Sequence, residues 1–597
     1  MSDHDFLRYF DGEMRYLKAA AQEFAERYPE AGRRLGVDGL SLKMDESVEQ
    51  LFQGFSLMMA QLRRKIDDDI PELTQPLLSQ LLPVVNRTLP SLAVVELSPT
   101  NPETHLQPQT LPAGTELLSL PISSQERQRG PRCPYRTVNE LVLQPFSLQS
   151  LRRHTRPDGI QALTLRFTFP QQNEPRTLNL QDIPLFINGD RVLQSQLYLT
   201  LTQQVRQVQL RYSGDPESTP FGARFTPRWQ RTPHTALWPD SDSPALCGEI
   251  RPWLEYFTAP MRYFFLTLDC PQAITLPAHA SHIELELALA TPLPYELVIA
   301  EDALRMHCVP LINLFMLAGE PLLTQQAQLD YRLRPHRLKD GHTEIYHVDT
   351  VVEKDEEDGD HYPYIPYRHF RQKGGMLKYE DQWPTRFFHT RTWRGVGGLH
   401  ETLLMLGGRT HEQLPGVKLL LELTCTNGAF PRMALEQALF DSDYTTGNLA
   451  LTGRTRSVPS MPYYPPTAPL YQWHLMALLH PRALSQMISS ATSLRAALSL
   501  FDWRDDENNH RRLSGIRHVD YVQAFNVATQ SHGVRIRLAL DETQFSGTGD
   551  ARLFCELLEQ FFTQYASMMR FTQLTVILTG SGTEWAWPER RSNKVLM

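Results

Sequence analysis

No run of about 18 apolar residues, the shortest helix that crosses a bilayer, occurs anywhere in the sequence. The longest uncharged stretch, Ser457 to Pro481, is broken by Pro459, Pro462, Pro465, Pro466 and Pro469. The opening residues, MSDHDFLRYFDGEMRY, carry acids and no apolar core, so they do not read as a secretion signal. Basic clusters are scarce too: no run is longer than three residues, and the formal net charge is −8 over 597 residues. Phosphate binding needs a concentrated basic face, so nucleic acid is not expected as a partner. The six cysteines (Cys133, Cys247, Cys270, Cys308, Cys425, Cys555) lie far apart, without a C-x-x-C pair. That spacing fits a reduced compartment in which cysteine serves as a small buried apolar residue. These absences together predict a cytoplasmic protein with no direct membrane insertion.

What is present is an ordinary globular composition, 41% hydrophobic and 21% charged, with 44 prolines favouring short strands and structured loops. The length is too great for one core. The expected fold is multi-domain α+β, with an N-terminal helical bundle segment, central mainly antiparallel β domains and a C-terminal α/β block. Four segments are expected: a helical, oligomerising segment over 1–90 and a mainly β domain over 91–300, then a mixed β-rich domain over 301–455 and an α+β domain over 456–597. The third carries an acidic and aromatic loop over 353–370. Runs such as LTLRFTF and HIELELALA alternate as half-buried strands do. LFINGDRVLQSQLYLTL reads as a strand, an Asn-Gly turn and a short helix. Near the end, GVRIRLALDE, an amphipathic stretch from Arg552 to Met568 and LTVILTG predict a strand–helix–strand unit.

In the first segment Phe10, Met14, Leu17, Ala21, Phe24 and Tyr28 form a stripe at helical spacing, and Val48, Leu51, Phe55, Met58, Leu62 and Ile66 form a second. Burying a large apolar side chain stabilises by ~1.5–3 kcal/mol. Each stripe therefore needs a partner, in its own chain or another. Between them and the β region lies RRKIDDDIPELTQPLLSQLLP. Asp69 is placed as a helix N-cap, with Pro71 in the first turn and Glu72 three residues after the cap. Arg63, Arg64, Asp67, Asp68 and Asp69 thus read as caps and ion pairs of a helix junction. A metal reading is weaker, because adjacent side chains on a helix point about 100° apart.

Catalytic patterns are missing. FSGTGDARLFCELLEQFF places Gly547 and Gly549 before a helix, but the third glycine of a dinucleotide loop is replaced by Arg552 and no Gly-Lys-Ser/Thr follows. His336, His342, His347, His361 and His369 lie near Asp358 and Asp360 without zinc-site spacing. There is no G-x-S-x-G. No cofactor is expected.

A series of fragments runs in order through the chain: YLKAAAQEFAERYPEAGRRLG (Tyr16–Gly36), SVEQLFQGFSLMMAQLRRKIDDDIPELTQPLL (Ser47–Leu78), LPSLAVVEL (Leu89–Leu97), CVPLINLFMLAGEPLL (Cys308–Leu323), EIYHVDTV (Glu344–Val351), LTCTNG (Leu423–Gly428), WHLMALL (Trp473–Leu479) and FCELLEQFFTQYASMMRFTQL (Phe554–Leu574). Together they resemble the TssF family, also called VasA or ImpG, which are baseplate subunits of the bacterial type VI secretion system. The sequence departs from the family at LLPVVNRTLPS, where a Tyr-Pro-His-Tyr string is more usual, and at SMMRF.

The resemblance implies a non-enzymatic scaffold. It implies pairing with a second copy and with TssG, joined by TssK and TssE, in wedges that surround the VgrG spike and carry the contractile sheath at the inner-membrane-docked apparatus. On this reading Phe10, Leu17, Phe24, Leu51, Phe55 and Leu62 are candidate interface residues. Two other classes remain open: a carbohydrate-active or other hydrolytic enzyme, with a carboxylate pair hidden among 67 acids, and an adaptor binding effectors through Asp355 to Asp360.

Overall fold

The computed structural model of the chain describes residues 3–28, 30, 47, 49–60, 78, 82–100, 107–121, 132–170, 176–213, 217–231, 247–277, 280–325, 330–336, 342–354, 361–366, 386–394, 400–407, 418–434, 440–446, 449–466, 470–480, 483–528, 530–565 and 570–591. Mixed α and β structure results, with mostly antiparallel sheets. The chain opens with helix α1 (Asp3–Arg27), and residues 49–60 are helical as well.

The strand β1 (Leu92–Pro99) does not alternate, because both of its faces are covered. Ala93, Val95 and Leu97 enter a small core with Tyr135 and Phe440, while Leu92 and Val94 enter the main one. In its six-stranded sheet β1 lies between β2 (Cys308–Ile312) and β3 (Leu449–Thr455), antiparallel to both. Past β3 the chain stays against β1: the Ser457 and Ser460 hydroxyls accept hydrogen bonds from the Val94 and Leu92 amides at 2.7 and 2.9 Å.

Clean alternation governs the next sheet. His282–Leu289 buries Ile283, Leu285 and Leu287 on one face. It is the middle strand of five, flanked by Val205–Tyr212 and Gln161–Thr168. Its other face pairs charge across strands, Arg166 with Glu284 and Arg156 with Glu286. An eight-stranded sheet built from residues 315–426 has a separate core around Val348, Val351, Leu419, Leu421 and Leu423. Its strand His361–Pro366 falls in the expected acidic loop, of which residues 355–360 and 367–370 lie outside the described residues.

Helix α2 (Arg191–Gln203) follows the Ile183–Ile187 strand, as the LFINGDRVLQSQLYLTL pattern implied. Asp190 caps it, accepting from the Leu193 amide at 2.8 Å. Helix α3 (Cys247–Thr258) fully buries Trp253, Tyr256 and Phe257. In the C-terminal part, helix α4 (Glu507–Ser514) leads into the hairpin of β4 (Ile516–Asn526) and β5 (Ser531–Leu540). Helix α5 (Thr548–Tyr565) then carries the chain over to β6 (Phe571–Leu578), parallel to β5. This is the expected strand–helix–strand unit, with a right-handed crossover as the default for such connections.

The main core does not stop between these parts: it runs from Leu78 to Trp587. Trp253 of α3 meets Phe554 and Phe561 of α5 edge-on, with centroids 5.3 and 5.9 Å apart. Aromatic pairs in this geometry add about 0.5–1.5 kcal/mol beyond their burial.

Candidate interaction surface

The two N-terminal helical stretches touch each other through polar as well as apolar atoms. Lys18 pairs with Glu49 at 2.8 Å, and the Ser56 hydroxyl lies 3.5 Å from the Met14 sulfur. Ser56, Ala60, Ala25 and Glu13 are buried. Leu51 is 70% exposed, Phe55 46% and Phe24 42%, and Tyr16, Tyr28, Leu57 and Met58 are exposed with them. Phe10 and Leu17 are half-buried. So the apolar stripes read from periodicity are only partly turned into the chain. Periodicity finds an apolar face, but it does not say whether the chain itself covers it. Leu62 and the junction residues Arg63, Arg64, Asp67, Asp68 and Asp69 lie outside the described residues.

One set of buried charged groups joins α2, α4 and α5, with Tyr256 of α3 beside it. Asp550, in the first turn of α5, is fully buried and accepts from Arg191 Nη2 at 2.7 Å and from Arg512 Nε at 2.8 Å. Burial alone would raise its carboxyl, but the two guanidinium groups overcome it and hold the group down at about 2. Arg191 lies over the Phe264 ring, 4.7 Å from its centroid. One turn further along, Glu556 accepts from the Tyr198 hydroxyl at 2.6 Å and from Arg552 Nε at 3.1 Å. Arg552 in turn lies over Trp587 at 4.3 Å. No sequence motif marks this network. Its one signal is the density of charge in an otherwise apolar helix.

Glu559 completes the row, buried against Arg590 at 3.0 Å. Burial raises its pKa to about 7, against the opposing effect of Arg590, and the neighbouring Glu556 raises it further. A carboxyl whose folded pKa exceeds its unfolded one keeps its proton longer in the fold. Its contribution to stability therefore falls as pH rises from about 4.5 to about 7. Glu559→Gln is expected to raise the thermal midpoint at pH 8 and leave it nearly unchanged at pH 5, as scanning calorimetry at the two pH values would show.

The histidine group is dispersed. His336 is exposed in a turn, His361 is exposed at the start of the His361–Pro366 strand, and His342 stacks on Phe430 with centroids 4.3 Å apart. His369, Asp358 and Asp360 lie outside the described residues. Among the described residues no three His, Cys, Asp or Glu side chains come together as a metal site, and no helix is long and apolar enough to cross a membrane. Gly547, which precedes α5, and Gly549, in its first turn, stand where a phosphate loop would. The close approach at Gly549 is to the Ser195 carbonyl of α2.

The sequence model of the family "Type VI secretion system, TssF" matches residues 2–594. The chain belongs to the TssF family. It is accordingly a component of the type VI secretion system baseplate. The chain is 24% identical over 631 residues to type VI secretion system component TssF1 of Pseudomonas aeruginosa, covering 97% of each. A chain of the TssK-TssF-TssG baseplate subcomplex, solved by cryo-electron microscopy, is similar with 36% identity and a TM-score of 0.78, covering 92% of this chain and all of that one. A chain of the type VI baseplate complex is similar with 30% identity and a TM-score of 0.65, covering 99% and 100%.

Proposed function

We propose that this TssF-family chain is a non-enzymatic scaffold of the baseplate wedge and that its N-terminal helical segment holds a partner's helices. The observation that supports this most directly is the outward-facing set Phe24, Leu51, Phe55 and Met58. Such a set on helices is the half of a helix-in-groove or bundle contact that a partner completes. One of the structural relatives comes from a complex with TssK and TssG, which supports those two proteins as the first partners of this chain. On this reading a second copy and TssE also bind the chain, while the spike and the sheath join through the assembled baseplate. The segments over 1–90, 91–300, 301–455 and 456–597 divide the labour, with the first carrying assembly. The interior agrees with a load-carrying role: its buried charges tie helices together, and Glu556 and Glu559 are engaged inside the packing instead of facing each other across a cleft.

Replacing Leu51→Asp together with Phe55→Asp tests this reading. Each change forfeits ~1.5–3 kcal/mol of burial at the contact, so affinity should fall roughly 100-fold or more. Co-expression with TssG and TssK should no longer yield a complex on size exclusion. The variant chain alone should keep its thermal midpoint, because both side chains already face solvent. Normal assembly by the double variant would refute the N-terminal interface.

A further inference from the structure

The chain leaves the six-stranded sheet at Ile312, the end of β2, and regains its small core at Phe430. Between these points lies the eight-stranded sheet with its separate core. That sheet is therefore an insertion, joined to the rest by two crossings that run side by side, with Phe315 paired to Cys425. At the first crossing the Leu314 amide donates to the Ile312 carbonyl at 2.9 Å, a three-residue turn. At the second, Asn427 is followed by Gly428 at φ +54°, a conformation that suits glycine. Asn313, fully buried, ties the two together. Its Nδ2 donates to the Pro134 carbonyl at 2.7 Å and to Asn427 Oδ1 at 3.0 Å. Its Oδ1 accepts from the Thr426 hydroxyl at 2.9 Å and from the Asn427 amide at 2.6 Å.

One end of the inserted sheet rests on the rest of the chain, largely through polar and ring contacts. Glu344, buried at the start of the Glu344–Lys354 strand, accepts from the Tyr464 hydroxyl at 2.5 Å and from the His400 amide at 3.3 Å. The His400 ring lies 4.2 Å from the Tyr464 ring, and its Nδ1 is 3.4 Å from the Thr88 hydroxyl. Tyr464 is fixed on the opposite side of the joint, because the adjacent Tyr463 exchanges backbone bonds with Leu89 at 2.8 and 2.9 Å. Arg87 lies over the Tyr346 ring at 5.6 Å. Burial raises the Asp349 carboxyl, while Thr424, Arg87 and Arg136 oppose that rise. Leu314 and Tyr346 reach the main core from this end. Interfaces of mainly polar character allow relative motion that large apolar ones prevent.

We propose that the inserted sheet pivots as one body on the paired crossings at Asn313–Leu314 and Asn427–Gly428, and that Glu344, His400, Tyr464 and Thr88 latch it in the orientation seen here. Asn313 keeps the crossings together, so the rotation falls on the few backbone angles beside it. The latch makes the orientation a two-state property. A partner that binds the inserted sheet better in one orientation shifts the balance towards it. The device is separate from the N-terminal surface.

Distances between spin labels, measured by pulsed electron paramagnetic resonance on the full-length chain, test it. Glu116→Cys in the six-stranded sheet and Lys354→Cys at the far end of the inserted strand are both exposed, whereas the five described native cysteines are buried. The Glu344–Lys354 strand is about 30 Å long, so a rotation of about 15° moves Lys354 by roughly 8 Å. With the latch intact one main distance is expected. Tyr464→Phe, which removes a hydroxyl and little volume, should raise the population of a second distance about tenfold or more. Adding His400→Ala should raise it further. Labels at Met316→Cys and Lys354→Cys, both within the inserted sheet, should keep one distance in every variant. A Glu116–Lys354 distribution that neither Tyr464→Phe nor the double variant changes would overturn the proposal. So would a Met316–Lys354 distance that broadens in step, because the sheet would then be loosening and not pivoting.

Discussion

Gly549→Ala is expected to cost about 3 kcal/mol or more and to lower the thermal midpoint accordingly. A Cβ at this position would lie 1.9 Å from the Ser195 carbonyl oxygen and 2.5 Å from its carbon. The obstacle is backbone held in the helical ladder of α2, so it cannot rotate aside as a side chain end could. The two helices would have to separate, taking Trp253, Phe554 and Phe561 out of register. Gly12→Ala supplies the contrast. Gly12 lies within α1 with nothing inside 4 Å, and alanine there should stabilise the helix by up to ~1 kcal/mol. The same chemical change thus has opposite signs at two helical positions, and thermal melts of both variants measure it.

Asp550→Asn should be the other large loss. It leaves Arg191 and Arg512 facing an uncharged amide inside the protein, and removing one member of a buried ion pair typically costs about 3–5 kcal/mol. Protonation removes less. A carboxyl held at about 2, against its ordinary 3.8, stores about 2 kcal/mol, because the neutral acid still fills the site and keeps hydrogen bonds. The sign is that of a depressed acid: the contribution is complete above about pH 4 and is lost as pH falls towards 2. Denaturation of parent and variant should therefore give a wide gap at pH 7 that narrows below pH 4. A gap that stays constant down to pH 2 would mean that the carboxylate charge is not what holds the helices together.

The parts of this fold that were legible in the sequence are those decided by neighbours along the chain. Val534, Ile536, Leu538 and Leu540 alternate in sequence, and Ile536, Leu538 and Leu540 are buried in β5. The turn at Asn188 and Gly189 and the cap at Asp190 likewise announce α2. The role of Asp550 could not be read this way, because Arg191 stands about 360 residues upstream and no spacing rule connects them. The glycines before α5 were visible as a loop signature. The meaning of Gly549 depends on a carbonyl in another helix. β1 was recognisable as a strand, yet its unbroken apolar run reflects two cores on either side, which becomes apparent only when Phe440 and Tyr135 are brought to it. For the interaction surface the stripes were visible, while which side chains stay outside depended on how the two stretches meet, at Lys18 with Glu49 and Ser56 with Met14.

The placement of β1 between β2 and β3 also sets a timetable for the nascent chain. Its antiparallel neighbours begin at Cys308 and Leu449, so β1 leaves the ribosome about 360 residues before its second partner strand is complete. At ~5–20 residues per second that delay is roughly 20–70 s. Over this interval the N-terminal helices are already synthesised, while the sheet that anchors the segment after them is still half-built. Contacts so distant in sequence are slow to form even once both strands exist. The apolar helical face is thus synthesised well before the sheet behind it can close, so the order of synthesis, and not the final structure alone, sets when that face is first available.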